Sequence, residues 1–437
     1  MIVGCVDVGS TFTKAAAVDA ATGELLATAS HPTTIGTDVL HGLDAALAAT
    51  GVSPDEVRVC SSAGGGLRLA VVGYEALVSA QAGHRVALSA GAKVVHVAAG
   101  PLTTAGLAQL RSARPDVILL VGGTDGGDAE VLTHNAGRLA RWRSRLPVVL
   151  AGNSVVRPEL HTLLESAGKP VISTDNVLPR IGVLEPGPAR SAIREMFLRH
   201  VIGGKKLSRG RRFAALVRAA TPDAVLRGVE LLGDGLAADL LVIDIGGATT
   251  DVYSVLLPDA ERAHIRAAAA GTLWRSRTVE GDLGMRWSAA GVIEAARAER
   301  IIDLDPVLEA AAVLRSRDPG LVAEPDDPND CRIGALAATI AVRRHARSGP
   351  DLRDVRLVIG SGGVLRHAEP GTARAVLRAA LTDTAGGWAL PREPAVVVDT
   401  DYVLAAAGLL ADDHPAAALA LLAPLLAPRP PQARHTA

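Results

Sequence analysis

Two widely separated stretches of this chain restate one motif: an apolar strand, an aspartate, a glycine-and-hydroxyl turn, and a second strand. The first is Ile2-Val3-Gly4-Cys5-Val6-Asp7-Val8-Gly9-Ser10-Thr11-Phe12-Thr13-Lys14. The second is Leu240-Leu241-Val242-Ile243-Asp244-Ile245-Gly246-Gly247-Ala248-Thr249-Thr250-Asp251-Val252-Tyr253. A unit repeated in this way implies two halves of common design.

The chemistry of the repeat lies in its turn. A glycine permits a bend too tight for a side chain, so successive backbone amides can point into one concavity that suits phosphate oxygens. In the first copy Gly9 makes the bend; Ser10, Thr11 and Thr13 add hydroxyl donors, Lys14 a point charge, and Asp7 a carboxylate able to hold a hydrated magnesium ion. In the second copy Gly246, Gly247, Ala248, Thr249 and Thr250 form the cradle, Asp244 is a metal carboxylate, and Asp251 is placed to orient water or metal. A plain hairpin has no need of an aspartate at the end of a fully apolar strand. Two facing turns of this kind can clamp a polyphosphate. A third element, Gly360-Ser361-Gly362-Gly363, follows the apolar run at 355–359 and offers bare backbone to an adenine and ribose.

A length of 437 residues exceeds what one core usually organises. Strands are expected at 13–18 and 24–28, a helix over 39–49 and a strand at 57–60, making a meander with a crossover. Gly64, Gly65 and Gly66 lead onward. From about Gln81 to Lys206 apolar strands at 94–97, 117–121 and 148–150 alternate with helical segments at 104–112 and 136–142, the signature of a parallel sheet with crossovers. The expected division is a first half over 1–80, an inserted α/β subdomain over 81–206, a second half over 207–413 with helices at 289–300 and 306–315, and an Ala/Pro-rich tail over 414–437 that frays from Pro424 onward.

Composition narrows the partners. Aromatic residues are only 2% against 49% apolar overall, so the core is built from Ala, Val, Leu and Ile, which favours α/β layers. A net charge of -1 gives no field to attract nucleic acid or an anionic membrane. Cys5, Cys60 and Cys331 show neither a disulfide framework nor zinc spacing, which points to a reducing cytoplasm. The run up to Asp7 lacks the basic start and cleavage site of a signal peptide and is expected to be a first strand, and the apolar stretch at 416–427 is too short to span a bilayer.

Other features carry two readings each. The loop Thr124-Asp125-Gly126-Gly127-Asp128 is a polar turn or a docking or second ligand site. Glu280 and Asp282 cap a following helix or position water. Lys205, Lys206, Arg209, Arg211 and Arg212 form a solvated linker or a grip for an acidic partner. His96 reads as a satisfied core residue, and no histidine pair has metal-ligand spacing.

The three glycine elements resemble the phosphate-1, phosphate-2 and adenosine motifs of the actin, hexokinase and heat-shock chaperone superfamily, the second copy most specifically. Within it, the chain resembles the glutamate mutase accessory family GlmL, also called MutL and unrelated to the mismatch-repair protein of that name. The resemblance rests on residues 6–14, on Leu119-Leu120-Val121-Gly122-Gly123-Thr124-Asp125-Gly126-Gly127, on Gly152-Asn153, on Asn176-Val177-Leu178-Pro179 and on Val279-Glu280-Gly281-Asp282-Leu283-Gly284-Met285-Arg286. It implies an actin-like ATPase fold with two ribonuclease-H-like halves, use of ATP and Mg2+, and assembly with or reactivation of an adenosylcobalamin-dependent mutase. A small-molecule kinase and an actin-like filament former remain alternatives on the same fold.

Overall fold

The repeated motif becomes a repeated sheet. The computed structural model describes residues 1–426 apart from 64–66, 76–77, 91, 203–206, 258–273, 302–304, 322–323 and 348–349, so the glycines at 64–66 and Lys205 and Lys206 lie outside the described residues. In the first half β1 (Ile2–Val8), β2 (Phe12–Asp19) and β3 (Leu25–Pro32) form an antiparallel meander, and α1 (Val39–Ala49) crosses to β4 (Glu56–Ser61), which lies parallel to β1. Asp38 caps α1, its carboxylate accepting from the Leu40 amide.

The chain then leaves this sheet. β5 (Leu67–Gly73), α2 (Ser79–Ser89), β6 (Ala92–Ala99), α3 (Thr104–Ser112), β7 (Val117–Leu120), α4 (Glu130–Arg141), β8 (Val148–Leu150), α5 (Arg157–Ser166), β9 (Val171–Ser173) and α6 (Pro186–Met196) build a separate sheet. Its order is β6-β5-β7-β8-β9 and every pairing is parallel. Sheet membership therefore starts the inserted unit at β5, ahead of the expected boundary at Gln81. The short α7 (Arg212–Leu216) leads to β10 (Val217–Ala220), which pairs parallel with β4 and so completes the first half rather than opening the second.

After α8 (Thr221–Leu236) the second half begins. β11 (Leu240–Ile245), β12 (Thr250–Val255) and β13 (Arg275–Glu280) repeat the meander. The helices α9 (Ala289–Ala298), α10 (Pro306–Arg317) and α11 (Pro328–Arg347) replace the single α1 as the crossover to β14 (Leu357–Ser361). Then follow α12 (Gly363–Arg366), α13 (Pro370–Leu381), β15 (Ala395–Val398), α14 (Val403–Leu410) and α15 (Pro415–Leu422). The two half-sheets run β3-β2-β1-β4-β10 and β13-β12-β11-β14-β15, with matching parallel and antiparallel neighbours. The fold is α/β, of the actin-like ATPase type.

Packing joins the parts. One core unites Val6, Val8 and Leu43 of the first half with Leu69, Val86 and Ile193 of the insertion. Another joins both halves through α8 and α14, which cross at Gly228 and Gly408: a Cβ on either glycine would meet the backbone of the other helix, at Leu404 and Ala224 respectively. Within the tail over 414–437, α15 is ordered, because Ala418, Leu421 and Leu422 are buried in this core, while residues 427–437, most of the stretch expected to fray, lie outside the described residues. No helix among the described residues is long and apolar enough to cross a membrane.

Candidate nucleotide cleft

Both turns obey one hydrogen-bonding rule. Gly9 N donates to Phe12 O (3.1 Å) and Gly246 N to Thr249 O (2.9 Å). A Cβ would stand 2.7 Å from Phe12 O at Gly9 and 2.8 Å from Thr249 O at Gly246, so only glycine closes these bends. The turns face each other across a cleft of about 620 Å³. They meet where the Cβ that Gly247 lacks would stand 2.6 Å from Thr11 Oγ1, and that hydroxyl is buried without a partner.

Strand alternation divides the expected ligands. Asp7 and Lys14 are cross-strand partners, as are Asp244 and Asp251, and all four line the cleft with Gly9, Ser10, Thr11, Gly246, Gly247, Ala248 and Thr249. Thr13 and Thr250 stand one position away, opposite Val8 and Ile245, and point into the protein. Thr13 shares a 3.0 Å hydrogen bond with Thr33, and Thr250 donates to Leu283 O at 2.5 Å. Both are fully buried, so these two hydroxyls are corrected out of the phosphate-binding set.

The charges are densely coupled. Asp7 lies 3.7 Å from Lys14 Nζ and accepts from Thr221 Oγ1 at 2.5 Å, a partner at the start of α8 that sequence reasoning did not single out. Burial opposes the Lys14 charge, but the Tyr402 hydroxyl, Asp7 and Asp244 outweigh it and hold the ammonium above its ordinary range. Lys14 Nζ also sits 3.8 Å from the centre of the Tyr402 ring, and the Arg366 guanidinium covers that ring at 4.5 Å. Burial pushes the Asp244 carboxyl up, against the pull of Lys14 and a Ser361 hydrogen bond. It raises Asp251 to about 6, against the pull of Arg277. Arg277 Nη2 donates to Asp251 Oδ2 at 3.2 Å, and Arg277 is only 1% exposed. Losing one member of such a buried pair strands the other, at a cost of about 3–5 kcal/mol.

The third glycine element divides as well. Gly360 is a packing glycine, since a Cβ there would meet Leu377 and Leu365, and Ser361 is spent on Asp244. Only Gly362 and Gly363 line the cleft; Gly362 has φ 108° and lies hard against Ile245.

The sequence profile of the MutL protein family matches residues 3–426. The protein MutL of Clostridium tetanomorphum is 35% identical over 451 residues, covering 95% of this chain and 97% of that protein. The chain belongs to the MutL protein family. The family is the MutL family that the motifs anticipated. Looser likeness extends to a nucleotide-free acetone carboxylase (TM-score 0.40, 15% identity, 94% of this chain and 70% of that one). The component A of Acidaminococcus fermentans (R)-2-hydroxyglutaryl-CoA dehydratase aligns with a TM-score of 0.31 at 12% identity, over 98% of this chain and 100% of that one.

The remaining motifs of this MutL-family chain have visible mechanical uses. In the segment 279–286 Met285 N donates to Gly246 O (3.0 Å) and Arg286 N to Gly247 O (2.8 Å), bracing the second turn from behind. A Cβ at Gly284 would collide with Ala248. Glu280 and Asp282 neither cap α9 nor stand free: both bind Arg344 of α11, at 2.7 and 2.8 Å. In the insertion Asn176 Nδ2 donates to Gly123 O (2.8 Å) and Asp125 Oδ1 (3.0 Å), while Asn153 Nδ2 donates to Gly127 O (2.9 Å). Three motif segments are thus tied into one loop cluster. Arg209, Arg211 and Arg212 are exposed, as a solvated linker would be, and Arg212 pairs at the surface with Asp44; His96 is half-buried with Nε2 lacking a partner rather than satisfied.

Proposed function

We propose that this protein is a slow, magnesium-dependent ATPase of the cytoplasm that assembles or reactivates an adenosylcobalamin-dependent mutase. The observation that carries the nucleotide reading is the meeting of Thr11 and Gly247. Two glycine turns from different halves converge there so closely that only glycine fits at 247, and a buried hydroxyl is left unpartnered beside the cleft that both turns line. An orphaned buried donor is rare in a folded protein, and a phosphate oxygen satisfies it.

The donor set suits a polyphosphate with a hydrated magnesium ion. Asp7 and Asp244 would hold the ion through water, since no described group of three His, Cys, Asp or Glu is close enough to chelate a metal directly. Magnesium, when bound, neutralises charge on the phosphate oxygens. Around it the turn amides, Ser10, Thr11 and Thr249 bind oxygens, Lys14 offsets the charge that develops on the transferring group, and Asp251 orients water. Gly362 and Gly363 leave room for the adenosine.

Coupling to a partner follows from the hinge. The halves meet through α8 and α14, so a ligand that touches both turns favours one lobe arrangement. Family membership supports a mutase as the large partner. Calorimetry with Mg-ADP and Mg-ATP tests the first part: absence of magnesium-dependent binding would sink it. Affinity capture from the native host with and without ATP tests the second. A mutase subunit supports the reading, whereas a phosphorylated metabolite or a filament points to the kinase or filament alternative.

A further inference from the structure

We propose that Arg277 reads the terminal phosphoryl group of the bound nucleotide, with the free oxygen of Asp251 taking the attacking water. This deepens, and rests on, the reading of the cleft as an ATP site. Arg277 lies on β13, is almost wholly buried and lines the cleft. Its Nη2 is spent on Asp251, but Nε and Nη1 are both buried without a partner, and so is Asp251 Oδ1. A buried guanidinium with two idle donors is a costly arrangement unless a ligand supplies the acceptors. Its planar fork suits the oxygens of a phosphoryl group.

Strand order says which phosphoryl group. In the sheet β13-β12-β11-β14-β15, the adenosine glycines Gly362 and Gly363 follow β14, the second phosphate turn joins β11 to β12, and Arg277 stands on β13 at the opposite edge. A nucleotide with its base at Gly362 therefore points the far end of its polyphosphate toward Arg277. The idle acceptor beside the idle donors completes the match. Asp251 Oδ1 accepts a proton from water while Arg277 donates to the phosphoryl oxygens. In hydrolysis the water oxygen bonds to the terminal phosphorus, the bond to the diphosphate oxygen breaks with its electron pair leaving on ADP, and one water proton passes to Asp251 and then to solvent. Arg277 thus distinguishes ATP from ADP, the discrimination a nucleotide switch requires.

The test is calorimetric titration of the full chain with Mg-ADP and with the magnesium complex of a non-hydrolysable ATP analogue. Two variants are compared with the wild type: Arg277→Lys, and the charge-balanced pair Asp251→Asn with Arg277→Met, which leaves no stranded charge. Thermal melts confirm folding. Both variants should keep Mg-ADP affinity within about threefold and lose about tenfold or more for the analogue, as expected for a lost charge-assisted contact. Equal weakening for the two ligands, or unchanged analogue binding, overturns the assignment of Arg277. A wild type that binds neither nucleotide overturns the ATP reading itself, and this inference with it.

Discussion

Lys14 and Asp251 occupy the same register position in the two hairpins, Lys14 opposite Asp7 and Asp251 opposite Asp244. One backbone design thus carries a cation in the first half and an anion in the second. A symmetric pair of turns becomes a polar cleft, with one wall suited to phosphate charge and the other to water.

The proposed metal role of Asp7 and Asp244, which both line the cleft, is open to a direct test. Asp7→Asn and Asp244→Asn should each lower phosphate release by about 100-fold or more, in line with the loss of a transition-state electrostatic contact. Circular dichroism should be unchanged. A variant with normal turnover would remove that aspartate from the metal site.

Acidity at Asp251 sets a pH limb. Its carboxyl titrates near 6, so below that pH it gains a proton and can no longer accept one from water. Hydrolysis should be level above about pH 7 and fall about tenfold per pH unit well below 6. A rate that stayed level down to pH 5 would show that Asp251 is not the acceptor.

Much of this site was legible because the motif occurs twice: the paired aspartates, both glycine bends and the matching half-sheets follow from the repeat. Thr13 and Thr250 were misread because hydroxyl content was weighed without strand parity, which places them opposite Val8 and Ile245 and hence inside. Arg277 was out of reach, because its meeting with Asp251 depends on how β13 registers on β12 across a long connection. The run 67–73 carried a strand signal that would have moved the insertion boundary. At 414 a run of alanine and proline looked like a tail, and only the tertiary core covering α15 makes it a helix.

His345 should make the fold sensitive to acid. It is fully buried between Thr278 (3.0 Å) and Ser254 (2.9 Å), and burial lowers its pKa to about 3. A folded value below the unfolded value of 6.5 means stability present above pH 6.5 and lost as the pH falls toward 3. The full effect is on the order of 5 kcal/mol. His345→Gln should flatten the fall of denaturation midpoint between pH 6 and 4, measured by urea titration. An unchanged slope would contradict this.

Helical glycines should respond with opposite signs. Gly408→Ala drives a methyl into the backbone of α8 and should cost about 2–4 kcal/mol or prevent folding. Gly371 in α13 has open space where a Cβ would stand, so Gly371→Ala should stabilise by about 0.5–1 kcal/mol. Thermal melts of the two variants check the contrast.

Partner binding should depend on the nucleotide. If the lobes change arrangement, the mutase must bind with different affinity in the ATP and ADP states, and must shift nucleotide affinity by the same factor. ATP should also restore activity to the inactivated mutase. Because the insertion shares a core with the first half, these effects should be mapped with surface substitutions rather than by excising it. Equal partner affinity in the ATP, ADP and nucleotide-free states would refute the switch.

In the proposed switch the glycine crossing of α8 and α14 would serve as the fulcrum. At Gly228 and Gly408 the helices touch backbone to backbone, inside a core that includes Leu226, Val229, Leu404 and Leu410, so a turn of one half against the other would be anchored at this point. Displacement grows with distance from such a point, so surfaces beside the crossing scarcely move while those at the cleft mouth swing widely. A partner gripping near the crossing would feel nothing of the nucleotide. One that bridges the two halves at the mouth would be levered open or held, and a mutase that this protein acts upon should take hold there.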